Sequence, residues 1–304
     1  PAGENPLRGT QERESLTMDN LLSHRNPLLR KSAMALLRVP RSIKRFSVGN
    51  NDVSGPPAVL ANSFPKSGTH LLSQIVGGIP DLNNYGAFLS SMTSSFQFRL
   101  RSVHETERFL NRIVPGEIVR AHLFSHAGYG ELISRNNIVH FFIYRDLRDV
   151  VVSSANYLTT MNPWHRLHRH FKGLSLEDAI IQSIQGIETE PSFPNIGERF
   201  ANYSGWLTVE DSYAVKYEAL MDHRRKETIR DMANFYCHHA AEPPEPDFLS
   251  HRMMAGIDGN RSHTMRKGGS GGWRDAFTDR CKAVFKEIAG DLLVELGYEQ
   301  DLMW

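Results

Sequence analysis

Cysteine is nearly missing from this chain of 304 residues, which carries only Cys237 and Cys281. Two cysteines cannot build a disulfide framework, and a chain this long can bury a core without one, so they fit a reducing compartment. No apolar run approaches the roughly 20 residues that cross a bilayer. The amino-terminal stretch lacks the charged start, apolar centre and small-residue cleavage site of a secretory leader. A cytoplasmic location is the resulting expectation. Strong charge of one sign is also lacking: a net charge of +1 excludes the basic field of general nucleic-acid binding, so no nucleic-acid partner is expected. Internal repeats and low-complexity tracts are absent, as is the GxxxxGK pattern followed by Ser or Thr that marks many ATP and GTP enzymes.

Residues 1–17 are polar and aperiodic and read as a flexible tail. The segment 27–47, PLLRKSAMALLRVPRSIKRFS, alternates leucines with basic residues, and residues 1–50 hold nine Lys or Arg against four Asp or Glu. Such a helix suits two roles: a surface helix packing its leucines on the domain, which is favoured, or peripheral contact with an acidic membrane or partner. Pro40 is expected to cut it short. A breaker-rich linker, 49–57, follows. This divides the chain into a tail with a basic segment, 1–50, and a single domain, 51–304.

Beyond the linker, strands alternate with helices. AVLANSF (58–64), EIVRAH (117–122), IVHFFIY (138–144) and SYAVKY (212–217) read as strands. THLLSQIVGGI (69–79), DLRDVVVSSANYL (146–158), 221–239 and 280–297 read as helices, the last closed by Gly297. This order predicts a three-layer α/β/α fold around a central parallel sheet.

Three stretches stand out. Phe64-Pro65-Lys66-Ser67-Gly68-Thr69 joins a strand to a helix. That geometry aims backbone N–H groups at an anion, and Lys66, Ser67 and Thr69 add a charge and hydroxyls. A capped turn is the plainer alternative. Tyr144-Arg145-Asp146-Leu147-Arg148-Asp149 puts Arg145 at the carboxyl end of a parallel strand, the rim where α/β sheets bind ligands. Alone, Arg145 and Arg148 read as ion-pair partners of the aspartates. Arg266-Lys267-Gly268-Gly269-Ser270-Gly271-Gly272-Trp273-Arg274 sets cations at the mouth of a glycine run that can approach a ligand closely.

Together, in this order, PKSGT, YRDLRDVVVS and RKGGSGGWRDAFT resemble the three nucleotide-binding motifs of the PAPS-dependent sulfotransferases, most closely the cytosolic small-molecule branch; PAPS is 3′-phosphoadenosine 5′-phosphosulfate. The resemblance spans about residues 58–280. It implies a P-loop-like sulfotransferase fold, transfer of a sulfonate from PAPS to a hydroxyl or amine of a small acceptor, and PAP as the product, with no metal. Lys66, Ser67, Gly68 and Thr69 would hold the 5′-phosphosulfate. Arg145 and Ser153, with Arg266, Lys267 and Gly268, would hold the 3′-phosphate. Tyr217 would lie near the adenine. His70 and Leu71 stand where the family usually has Thr-Trp, which removes an aromatic wall. His122, in VRAHLF, would be the catalytic base, and Lys66 would stabilise the leaving phosphate. Gly272 replaces a common Asp, and the family's dimerisation signature is not apparent, which leaves the oligomeric state open.

An in-line displacement at sulfur needs positioning, fixed positive charge and a base. His165, His168 and His170 have near-metal spacing but lie among Arg166, Arg169 and Lys172, so a basic lid or solvated face is the favoured reading. Tyr85, Phe88, Leu89, Met92, Phe96 and Phe98 are equally readable as acceptor walls or as core. Two other functions stay open: a nucleotide-dependent kinase of P-loop ancestry, and a catalytically inactive nucleotide- or glycan-binding module.

Overall fold

The computed structural model describes residues 22, 27–47, 55–189, 192–258 and 269–304. The first helix, α1, spans Pro27–Ser47. The alternating region follows as β1 Ala58–Ser63, α2 Thr69–Val76, β2 Phe88–Ser90, α3 Val103–Leu110, β3 Ile118–His122, α4 Tyr129–Arg135, β4 Ile138–Tyr144 and α5 Leu147–Asn156. A π-helical turn, Tyr157–Met161, extends α5. Then come α6 His168–Phe171, α7 Leu176–Gln185, α8 Ile196–Ser204, β5 Ser212–Lys216, α9 Tyr217–Met221, α10 Arg225–His239, α11 Pro246–Ala255, α12 Trp273–Ala276 and α13 Asp279–Glu295.

The strands form one parallel sheet in the order β2-β3-β1-β4-β5. Alternation along each strand divides the core. Ala58 and Leu60 of β1 and Phe142 and Tyr144 of β4 pack with α5, α7, α8 and α13. Val59 and Ala61, with Val139, Phe141 and Ile143, pack with α2, α10 and α11. All seven residues of β4 are buried. A continuous apolar run is what a strand covered on both faces requires, and each large side chain so buried contributes roughly 1.5–3 kcal/mol. This is the expected α/β/α sandwich.

Two local expectations are corrected, and one strand was not expected. α1 does not stop at Pro40 but runs for 21 residues through it. Docking outweighs the hydrogen bond that proline denies the Leu36 carbonyl: Ala33 is buried, and Arg41 grips the buried Glu117 at 2.7 and 3.1 Å and the Arg112 carbonyl at 3.0 Å. The helix expected over 221–239 starts at Arg225, because the Asp222 carboxylate accepts from the Arg224 N–H at 2.8 Å and turns the chain there. Phe88–Ser90 is an unforeseen edge strand; three residues are too few for periodicity to reveal.

Both cysteines are free thiols. No described helix is long and apolar enough to cross a membrane.

Candidate active site

Every parallel strand ends at the same edge of the sheet, and the chemistry-bearing residues gather there. β1 runs out at Ser63, and the turn through Lys66 leads into α2. Lys66 has φ 72°, a left-handed conformation that a side chain other than glycine's adopts only at a cost of about 1–3 kcal/mol. Gly68 has φ 103°, and a Cβ there would stand 2.7 Å from the Tyr217 ring. Only glycine lets the turn lie against that tyrosine. The Ser67 hydroxyl is buried and makes no hydrogen bond.

Arg145 leaves the end of β4. Its guanidinium lies 4.5 Å from the centre of the Tyr217 ring, bonds Asp149 at 2.9 Å and donates to the Gly269 carbonyl at 2.8 Å. Its buried Nε has no partner. The Lys66 ammonium sits 4.2 Å over the Tyr157 ring. Burial, and then the nearby Arg145 charge, lower the Lys66 pKa to about 8. Two cations stand close enough to feel each other's charge, with a buried donor unused on each side.

His122 ends β3. Its Nδ1 lies 2.9 Å from the Ser63 carbonyl and 3.1 Å from the Ser63 hydroxyl, which itself meets the Thr69 hydroxyl at 2.7 Å. A carbonyl only accepts, so Nδ1 carries the proton and Nε2 keeps its lone pair. Burial, only partly offset by that bond, pushes the pKa down to about 4, so the imidazole is neutral at physiological pH. Phe88 stands edge-on to the ring at 5.2 Å. His70 stands in the first turn of α2, close to His122, and Leu71 packs part-buried on the core.

The structure thus brings Lys66, Ser67, Gly68, Thr69, Arg145, Tyr217 and His122 to one edge. Ser153 lies on α5 one turn past Asp149, on the same face. Arg266, Lys267 and Gly268 lie outside the described residues, but the run that follows them is fixed. Asp149 accepts from the Gly271 and Trp273 N–H groups at 2.8 and 2.9 Å while holding Arg145. Asp149 is the residue sequence reasoning underrated; its signal was its place four residues after Arg145. Ser63 and Tyr157 were missed outright, since neither belongs to a motif and the π-helical turn that presents Tyr157 has no sequence mark. Arg148 fits the ion-pair reading: it is buried between Trp273 and Trp304, 3.8 and 4.5 Å away, and pairs with Asp146 and Glu299.

The three histidines after Trp164 have separate tasks. His168 bonds the Leu158 carbonyl at 2.6 Å, His165 packs on Phe98 and Tyr157, and His170 meets Arg169 at 2.9 Å. No group of three metal-ligating side chains converges among the described residues. Of the expected acceptor walls, Leu89 is core and Tyr85 lies near Glu117 and Arg41 at the other end of the sheet. Phe88 faces His122, and Phe98 leans on His165 beside Tyr157. An open cavity of about 640 Å³ is lined by Phe96, Gln97, Arg99 and Arg166.

A five-stranded parallel sheet with helices on both faces and a Lys-Ser-Gly-Thr strand-turn-helix junction at its carboxyl edge defines a three-layer α/β protein. The chain belongs to the sulfotransferase family: the sulfotransferase domain matches residues 56–297. Two solved structures share the fold. One is mouse sulfotransferase SULT7A1 complexed with PAP, 16% identical, covering 81% of this chain and 89% of that one, with a TM-score of 0.55. The other is retinol dehydratase in complex with androsterone and the inactive cofactor PAP, also 16% identical, covering 84% of this chain and 85% of that one, with a TM-score of 0.51. No curated protein matches in sequence.

Proposed function

We propose that this chain transfers a sulfonate from PAPS to a hydroxyl or amine of a small acceptor, with residues 51–304 as the catalytic domain. The observation that carries this reading is the His122 imidazole, whose Nδ1–H is tied to the Ser63 carbonyl at 2.9 Å so that a neutral Nε2 is left over, at the edge where Lys66 and Arg145 crowd. The residues suit a doubly phosphorylated nucleotide: Ser67 Oγ and Arg145 Nε are buried donors in need of acceptors. When bound, PAPS supplies a sulfonate already joined to a phosphate leaving group.

The chain's own residues would act as follows. His122 Nε2 takes the acceptor proton, while Nδ1–H to Ser63 fixes the ring and steadies the charge it gains. Lys66, Ser67, Gly68 and Thr69 cradle the 5′ end, and Lys66 sets its charge where negative charge grows on the leaving phosphate. Arg145 and Ser153 receive the 3′-phosphate, with Arg266, Lys267 and Gly268 closing over it. Asp149 orients Arg145 and pins the glycine run. Tyr217 walls the adenine side together with His70 and Leu71.

The acceptor side favours an apolar hydroxyl compound, a phenol or lipid-like alcohol. Phe88 stands beside the base, and the rim cations are already engaged: Arg166 holds the Gln97 carbonyl at 2.8 Å and Arg99 pairs with Glu105 at 3.1 Å. A cytoplasmic location agrees with these small-molecule partners. The test is incubation with PAPS and a panel of phenols, alcohols, amines and sugars, read by mass spectrometry. Sulfonated product with PAP release is expected. Thermal stabilisation by PAP with no product from any acceptor would favour the inactive binding module, and activity that needs ATP and Mg²⁺ would favour the kinase.

A further inference from the structure

α1 carries two faces. Its inner face holds the domain at the amino edge of the sheet, through buried Ala33 and the Arg41–Glu117 pair. Its outer face is apolar as well: Leu36, Val39, Ile43 and Phe46 are 65, 63, 63 and 92% exposed. Spacings of three, four and three residues place these four on a single stripe. Contiguous exposed apolar surface of this kind marks an interaction site. The charge around it is one-sided. The helix sequence has six basic residues (Arg30, Lys31, Arg38, Arg41, Lys44 and Arg45) and no acidic one. Arg38 is exposed and Arg45 partly exposed on the remaining surface.

We propose that the outer face of α1, with Leu36, Val39, Ile43 and Phe46 inserted and Arg38 and Arg45 at the headgroups, docks this protein on an anionic lipid bilayer. A basic helix with an apolar stripe lies in the plane of a membrane interface, its cations drawn to acidic headgroups. Charge argues against a second copy of the chain, because pairing two such helices would bring together like charges with no acidic partner on either. Docking by way of Arg41 and Glu117 also fixes the orientation. Glu117 immediately precedes β3, whereas His122 ends it, so the catalytic edge faces away from the bilayer. This inference does not rest on the transfer reaction.

The test is co-sedimentation of the full chain with phosphatidylglycerol/phosphatidylcholine vesicles and with phosphatidylcholine vesicles alone. Preferential uptake on the anionic vesicles, roughly tenfold or more and released by about 0.5 M salt, is expected. The double variant R38E/R45E should weaken uptake by about fivefold per residue at least. The double variant I43S/F46S should lose it by roughly tenfold or more. Unchanged thermal midpoints would show that both variants fold. Equal uptake on neutral and anionic vesicles, or double variants that bind like the parent, overturns the proposal. So does a concentration-dependent dimer that I43S/F46S dissolves while vesicles take up nothing, which would assign the face to a second copy.

Discussion

Two largely buried ionic groups at opposite edges of the sheet, Glu117 and Arg145, differ in how fully their hydrogen bonds are met. At the amino edge, buried Glu117 accepts two bonds from Arg41 and a third from the Val114 N–H at 3.1 Å. At the carboxyl edge, Ser67 Oγ and Arg145 Nε are buried without partners, Lys66 is left-handed, and its charge crowds that of Arg145. An unmet buried donor costs about 1–3 kcal/mol. Glu117 shows that the fold can surround a buried ionic group with partners. The two unmet donors at the carboxyl edge are those to which the proposed nucleotide would bring acceptors.

The largest effect should come from His122, the proposed base. His122→Ala is expected to lower turnover by roughly 10²–10⁴-fold with little change in thermal midpoint. Turnover within a few-fold of the parent would remove His122 from the chemistry. Lys66→Ala should follow, at roughly 10²–10³-fold. Its ordinary state gives a second measurement. Burial and Arg145 hold the free ammonium at about 8, and an anionic nucleotide would raise that value. PAP affinity should then be full below pH 8 and decline as pH rises through the free value. Calorimetry in buffers of differing ionisation enthalpy should show proton uptake near pH 8. Binding that is flat with pH would place the lysine away from the phosphates.

The amino edge should respond in the reverse manner. Glu117→Ala leaves Arg41 and the Val114 N–H without their acceptor and should cost roughly 2–3 kcal/mol of stability by urea unfolding, since Arg41 can still reach water. Its turnover should stay within about twofold. A large loss of activity at unchanged stability would mean that the two edges are coupled.

What could be read from the sequence follows the same division. Strands such as Ile138–Tyr144 declare themselves because burial on both faces demands unbroken apolar runs. The anion turn declares itself because Lys, Ser, Gly and Thr have few other reasons to stand together after a strand. Arg148 was rightly weighed as an ion-pair partner because Asp146 lies two residues away. Hidden were the contacts made by geometry alone. Ser63 acts on His122 through a backbone carbonyl, which no side chain encodes. Tyr157 reaches Lys66 from a π-helical turn, and α1 outlasts Pro40 because of a partner 76 residues away. Periodicity reports burial along one element; it is blind to what a neighbouring element offers.

His140 is the sharpest challenge to the contrast between the edges, because it is unmet yet belongs to neither. It lies within β4, wholly buried, with no hydrogen bond at either ring nitrogen and its ring 4.3 Å from that of Trp206. If incompleteness marks function only where a ligand can reach, His140 should matter to stability and not to turnover. Burial holds its pKa down to about 3, below the ordinary 6.5. The unfolded chain therefore takes up a proton as pH falls through 6.5 while the folded chain does not. Stability from this residue is complete above 6.5 and drains away toward pH 3, on the order of 5 kcal/mol in all. His140→Leu removes that linkage. Near pH 7.5 the gain from two absent unmet nitrogens and the loss of the Trp206 contact should nearly cancel, leaving the variant within about 1 kcal/mol of the parent. Below pH 6.5 the variant should gain on the parent by up to about 1.4 kcal/mol per pH unit in urea unfolding. A constant gap from pH 7.5 to 4.5 would mean that the imidazole is protonated in place, and a fall in turnover would extend the functional region into the strand interior.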